Sequence, residues 1–381
     1  MSAHLSLTVS AEVLPALVAP LLSATVCAAE PEGSRYAILV GNDVGLPVRP
    51  ALRYAASDAR KMRDVLLRVG GFAEKDVLLL EEGSASDLEA ALGAVERRIA
   101  AVPGKAALLL FYFSGHSDGS ALELDGDRVP FADLRRRLDE SGATLRIAFI
   151  DACLSGQMIG VRGATLEPAF EIDASEGLGA EGTVVVSSTS ATEMAQESAE
   201  LGGGVFTHHL VSGLYGAADE DGDLKVSLRE LYRHAYGRTL GATARTLTGP
   251  QHPAYGFALE GKGDIVLSQV AGRSGRLQFP VGLPGSYFVL SGNDVVAQVD
   301  QAGEHDRSLA LPAGSYVLLR RMDQGLAQAR VALADGRTRT LEEKDFSPTT
   351  VTLADRRGNE NRSPNGLVGY YALSGWFMPE K

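Results

Sequence analysis

Two stretches constrain the fold of this chain most: LLLFYFSGHSDG, from Leu108 to Gly119, and LRIAFIDACLSGQ, from Leu145 to Gln157. Each is a run of apolar and β-favouring residues that breaks abruptly into small and polar ones, the pattern of a parallel strand buried on both faces and ending at a sheet edge. His116 falls just beyond the first run and Cys153 just beyond the second. In an open α/β sheet the carboxyl ends of the strands face the crevice where ligands bind, so two such endings can meet in space although they lie far apart in sequence. A thiol and an imidazole brought together there form a nucleophile with its base.

The surrounding chain follows the same plan. RYAILVG, Arg35 to Gly41, reads as the first buried strand, ended by Gly41-Asn42-Asp43. Ser57 reads as the cap of a helix through DARKMRDVLLRV, with Met62, Val65 and Leu66 on one face and Gly70-Gly71 closing it. DVLLLE is a second strand, and Ser86 with Glu89 has capping-box spacing ahead of a helix from Leu88 to Ala101. A helix from Phe131 to Leu138 lies between the two central runs. After a Gly-rich acidic stretch, Met158 to Gly182, TVVVSST supplies another strand and GVFTHHLVSGLYGA another helix. Strands alternating with helices at this spacing imply an α/β fold, a mostly parallel sheet with helices on both faces. No Gly-rich phosphate loop follows the first strand, which argues against nucleotide binding. From Ser268 onward the pattern changes to short alternating segments such as RLQFPVG, GSYFVLSG and DVVAQVD, separated by Gly, Pro and Asp turns, which predict a small all-β sandwich without a catalytic cluster. GYYALSGWFM near the end reads as a final strand.

YFSGH followed by DACLSG resembles the His and Cys motifs of the caspase-like cysteine proteases, and is closer to the metacaspase branch than to animal caspases. The order His then Cys, the apolar strand before each and the Ser-Gly ahead of the His all match, over roughly Arg35 to Leu267. The resemblance implies a cysteine endopeptidase in which Cys153 attacks the scissile carbonyl and His116 delivers a proton to the leaving amine. It implies oxyanion donors among the backbone N–H groups beside the two motifs, here Gly115 and Cys153. It also places Asp151, two positions before the Cys, in the pocket for the residue preceding the cut. A buried carboxylate needs a cationic partner or a proton, and a substrate Arg or Lys can be that partner. Glu193 and Glu197, in SATEMAQES, are both candidates for a second acid, and sequence does not choose between them. Caspase-like enzymes are commonly processed between the Cys strand and the next, and Arg162 is the only Arg or Lys between Cys153 and Lys225, which makes it the expected autocleavage point. The rival reading is a catalytically silent caspase-fold binding module or scaffold acting through its β-domain.

The formal net charge of −12 comes without any basic stripe, which argues against a nucleic-acid partner held by phosphate contacts and favours basic protein or peptide substrates. The apolar segment Val13 to Ala29, ending in VCAAE, reads as a secretory signal cleaved after Ala28 or Ala29, although no Lys or Arg precedes it. The expected division is a signal over 1–29, a peptidase domain over 30–268 and a β-domain over 269–381. If the signal is used the protein is secreted or periplasmic, and otherwise cytoplasmic. Its removal would take Cys27, leaving Cys153 as the sole thiol. No other segment is long and apolar enough to span a bilayer.

The thiol chemistry needs no cofactor, but DEDGDLKVSLRE puts Asp219, Asp221, Asp223, Ser227 and Glu230 at the oxygen-ligand positions of an EF-hand loop. Leu224 stands at the sixth position, where the sharp turn calls for Gly, and Gly222 lies two places early. A calcium site and an acidic loop capping the helix SLRELYRHAYG both fit this pattern. His208 and His209, within an amphipathic helix, read as core or surface residues, since no Cys/His metal spacing accompanies them.

Overall fold

Helices covering both faces of a sheet force its central strands to be apolar throughout, and Ala107–Ser114 is buried at every position. The computed structural model describes residues 33–159, 165–166, 180–261, 264–272, 274–322 and 325–349. The apolar N-terminal segment with Cys27, Arg162 and the closing GYYALSGWFM lie outside them. In chain order the strands of the first part are β1 (Ser34–Gly41), β2 (Val77–Glu81), β3 (Ala107–Ser114), β4 (Ala121–Leu124), β5 (Asp127–Pro130), β6 (Leu145–Asp151), β7 (Thr165–Leu166), β8 (Ala180–Ser187), β9 (Glu197–Ser198), β10 (Gly203–Gly204), β11 (Lys225–Ser227), β12 (Ala254–Gly261) and β13 (Val266–Gln269). Seven of them form the central sheet in the order β2-β1-β3-β6-β8-β12-β7. The pairs from β2 to β8 are parallel, while β12 runs antiparallel to both β8 and β7.

The helices divide between the two faces by their apolar stripes. Met62, Val65 and Leu66 of α1 (Ala55–Arg68) pack with Leu39, Tyr112 and Phe149, together with α4 (Val205–Ser212) and α5 (Leu228–Thr243). Leu88, Leu92 and Val95 of α2 (Ala85–Ala100) and Leu134 and Leu138 of α3 (Phe131–Asp139) pack on the opposite face with Ile38, Val40 and Phe111. Two helix starts differ from the sequence reading. Ser57 lies inside α1 and its hydroxyl donates to the Tyr54 carbonyl, while the first free amide, Ala55 N–H, donates to Asp43 Oδ1 at 2.7 Å. The cap therefore comes from the end of β1, across a loop that local spacing cannot reveal. The capping box of α2 is Ser84 with Asp87, not Ser86 with Glu89: the extended backbone of Ser84 lets its hydroxyl accept from the Asp87 amide, and Asp87 answers at the Ser84 amide.

The C-terminal part is β structure, antiparallel except where Gly275–Phe279 pairs in parallel with Thr338–Thr340. A three-stranded sheet runs Arg307–Leu311, Gly275–Phe279, Thr338–Thr340, and a five-stranded sheet runs Asp294–Gln301, Gly285–Ser291, Gly314–Met322, Gly325–Leu333, Ser347–Thr349. Their facing residues, among them Leu277, Phe279, Tyr287, Val289, Leu309 and Leu318, belong to the same apolar cluster as α4 and α5. Ser212 at the end of α4 exchanges hydrogen bonds with the backbone of Gln298, and Arg238 of α5 pairs with Asp300 at 2.6 Å. One core thus serves both parts of the chain.

Candidate active site

Parallel register brings the two motifs together. Ser114 at the end of β3 is opposite Asp151 at the end of β6, so His116 and Cys153 each lie two residues past level positions on neighbouring strands. Strands pair at about 4.8 Å, and both side chains therefore leave the sheet within one short span of its edge.

The turn after Cys153 is held from β8. The Ser155 amide donates to Thr189 Oγ1, the Ser155 hydroxyl meets that of Ser187 at 3.1 Å, and Thr189 Oγ1 donates to the Ala152 carbonyl. Leu154 turns left-handed (φ 56°), and a β-carbon on Gly156 would fall 2.6 Å from the Ala191 amide nitrogen. Small residues in CLSG are thus needed to pass the chain beside its neighbour.

His116 is fixed by the loop that follows β1. Its Nε2 lies 2.9 Å from the Pro50 carbonyl oxygen, which can only accept, so Nε2 carries the proton and Nδ1 is left to take one and return it. Gly45 (φ +63°) comes so close that a β-carbon there would lie 2.7 Å from His116 Cδ2. Asn42 Oδ1 accepts the Gly45 amide at 2.7 Å and ties that approach to the end of β1.

Cys153 is half-buried, and burial pushes its thiol up. An N–H from Ala195 and the charge of Arg49 act the other way, while the Asp151 charge adds to the upward push. Arg49 is itself clamped by the fully buried Glu123, which accepts from its Nη2 at 2.6 Å and its Nε at 2.9 Å. A thiol raised in this way needs a neighbouring base to become a nucleophile.

Gly115 takes a different place from the one expected. Its N–H donates to the Asp151 carbonyl at 3.2 Å, prolonging the β3–β6 ladder, and is therefore not free to serve an oxyanion. Glycine is required there by packing, since a β-carbon would lie 2.6 Å from Phe113 Cζ.

Asp151 is buried. Its Oδ2 accepts the Thr207 amide at 3.2 Å and the Thr207 hydroxyl at 2.6 Å, and Ser188 contributes a further hydrogen bond; burial nevertheless drives its pKa up. Beside it lies Asp58 of α1, whose side chain is 1 % exposed and whose pKa burial pushes up to about 7. A β-carbon on Gly204 would lie 2.7 Å from Asp151 Oδ2 and 3.1 Å from Asp58 Oδ2, so the two carboxylates flank that one glycine. Asp58 is thus a second buried acid next to Asp151, and sequence reasoning passed over it. Its signal was an Asp one position from Ala59 and four from Met62, on the buried side of an otherwise amphipathic helix.

The two glutamates offered for that place have other partners. Glu193 binds the His252 amide at 2.8 Å, the His252 ring at 2.6 Å and the Ser190 amide, which removes it from the acid pair. Glu197 accepts the amides of Arg53 and Tyr54 just before α1. Its pKa is raised by burial, with Asp43 and Asp151 adding to the effect, so it stands near the acid pair, turned toward the start of α1.

Asp219, Asp221 and Asp223 have carboxylate oxygens within 4.8 Å of one another, and Leu224 takes the left-handed turn (φ 65°) that its position demands. Ser227 and Glu230 do not join them. Ser227 caps α5, and Glu230 accepts from Ser227 with one oxygen and from the Glu220 amide with the other. His208 and His209 are buried on α4, where burial pushes His208 down to about 3 and holds His209 well below the ordinary imidazole range; neither belongs to a metal-binding group among the described residues.

A sheet that sets a thiol and an imidazole at adjoining parallel strand ends, with helices on both faces, has the architecture of a caspase-type peptidase. The caspase domain family matches residues 34–255, more than half of the chain, and the chain belongs to that family. Among solved structures it is similar to caspase-1 from Spodoptera frugiperda, at 13 % identity over 63 % of this chain and 91 % of that one, with a TM-score of 0.41. No curated protein matches it. Among the described residues no helix is long and apolar enough to cross a membrane.

Proposed function

We propose that the protein is a cysteine endopeptidase that cleaves peptide bonds after Arg or Lys, of the metacaspase-like kind. Cys153 is the nucleophile and His116 its base: Nδ1 takes the thiol proton as sulfur attacks the carbonyl carbon and returns it to the departing amine nitrogen, while the Pro50 carbonyl holds the ring through Nε2–H. Water then releases the acyl group from sulfur by the same proton exchange. The Cys153 amide is the oxyanion donor kept from the sequence reading.

The observation that carries the specificity is the pair Asp58 and Asp151, two buried carboxylates flanking Gly204 on the strand that follows the thiol's neighbours. Buried carboxylates without full charge compensation favour a cationic ligand over a neutral or acidic one. Incubation of the purified protein with Arg-, Lys- and Asp-ended fluorogenic peptides, beside the Cys153→Ala variant, tests the reading. Cleavage of the basic peptides by the wild type alone supports it; turnover that persists without the thiol, or a preference for Asp, refutes it. Calcium at Asp219, Asp221 and Asp223 is a separate proposal, supported by the closeness of the three carboxylates. Export through the N-terminal segment is another, tested by sequencing the mature N-terminus.

A further inference from the structure

Asp58 has a resident cation. One turn along α1, the Lys61 ammonium lies 3.0 Å from Asp58 Oδ1 and also donates to the Gly202 carbonyl, while Asp58 Oδ2 accepts the Gly204 amide at 2.7 Å. The two glycines of β10 fix the geometry. A β-carbon on Gly203 would fall 2.5 Å from Asp58 Oδ1 and 2.8 Å from Lys61 Nζ, whereas one on Gly204 would fall against Asp58 Oδ2 and Asp151 Oδ2. Lys61 therefore approaches the oxygen of Asp58 that is turned toward Gly203, and Asp151 stands on the other side. The hydrogen bonds to Asp151 come from neutral groups only, the Thr207 amide and hydroxyl and Ser188.

We propose that Lys61 is a positioning residue of the specificity pocket: bound to the far oxygen of Asp58, it favours the carboxylate form of that buried side chain, so that the acid pair receives a single Arg or Lys side chain. The inference rests on the cysteine-peptidase reading above. Two carboxylates and one ammonium leave one net negative charge, which one substrate cation neutralises. Without Lys61, no other cation among the described residues faces Asp58 to take its place. Asp151 of β6 carries like charge, Tyr112 of β3 is a neutral phenol held so by burial, and His208 of α4, near Lys61, is kept neutral by its own burial. The Gly204 amide alone would then oppose desolvation, and Asp58 would hold its proton to higher pH.

The test compares kcat and KM for Arg- and Lys-ended peptides across about pH 6 to 9.5 in the wild type, Lys61→Met and Lys61→Arg. Lys61→Met is expected to raise KM about fivefold or more at pH 7, with the acid limb of kcat/KM moved upward by at least about one pH unit so that activity recovers toward pH 9, because a one-unit rise from about 7 leaves roughly a tenth of Asp58 ionised at pH 7 in place of half. Lys61→Arg restores the wild-type profile. A Lys61→Met enzyme with the wild-type KM and pH profile overturns the inference while leaving the peptidase reading intact. So does a loss that is uniform in pH and not rescued by Arg, which would make Lys61 merely structural. A wild type that cuts no basic peptide overturns the peptidase reading itself, and the inference with it.

Discussion

Replacing Asp151 by Asn separates charge recognition from folding. The Asn carbonyl can keep both hydrogen bonds from Thr207, and its amide can face the Ser188 hydroxyl, so the local frame survives. What is lost is one negative charge opposite a desolvated substrate cation. Truncating one partner of a buried charged pair costs about 2–5 kcal/mol, and with the frame retained the lower part of that range applies, about 2–3 kcal/mol or roughly 30- to 140-fold in kcat/KM. The same change acts on the thiol with the opposite sign. The Asp151 charge contributes to raising the Cys153 pKa, so removing it lowers that pKa and speeds alkylation by iodoacetamide near neutral pH. The assay is therefore double: kcat/KM on matched Arg-, Lys- and Gln-ended peptides, and the pH profile of alkylation. Equal losses on basic and neutral peptides, or alkylation that slows, would refute the reasoning and leave Asp151 a structural residue.

Other expectations follow from single contacts. Gly45→Ala places a methyl against the His116 ring and forces a left-handed alanine; kcat should fall about a hundredfold with KM little changed, and a kcat like the wild type's would remove Gly45 from the argument. Asp58→Asn should stabilise the protein at about pH 8 but not at about pH 4: with its pKa pushed up to about 7, Asp58 binds its proton more tightly folded than unfolded, so stability drains away as pH rises between those values, as Tm measurements at both ends will check. Millimolar calcium should raise Tm by mass action and an Asp221→Ala variant should lose the shift; an unchanged Tm, or the same shift in the variant, would leave the loop a plain turn. Autolysis, read by mass spectrometry of aged wild-type and Cys153→Ala protein, should cut after Arg162 only where the thiol is present.

The sheet was legible because its strands are long apolar runs alternating with helices, and the register that brings the His116 and Cys153 motifs to neighbouring strand ends follows from where those runs stop. Backbone partners were not. The Pro50 carbonyl on His116 and the Ala195 amide on Cys153 belong to residues whose side chains say nothing of the role, and both come from loops distant in sequence. Gly115 misled for the same reason: adjacency to His116 suggested a free donor, but pairing with β6 decides where that N–H points. Asp58 was missed because a charged residue in an amphipathic helix is ordinarily solvated, and the amide that binds it comes from the glycine hairpin from β9 to β10, more than a hundred residues on.

With Asp151 in the specificity pocket as proposed, the continuity of the apolar core beneath α4 would give the C-terminal sheets a hand in selectivity. Thr207, which grips Asp151, and Ser212, which binds Gln298, sit on one face-to-face span of the same short helix, with the sandwich pressed against its outer side. A chain shortened near residue 268 would wet that side, and α4, too brief to be a stable helix alone, would fray. Such a remnant should keep its thiol yet lose its discrimination between side chains, behaving as a blunted enzyme rather than a smaller one. Anything that seats itself on the sandwich would, through the same helix, have leverage over what the enzyme cuts.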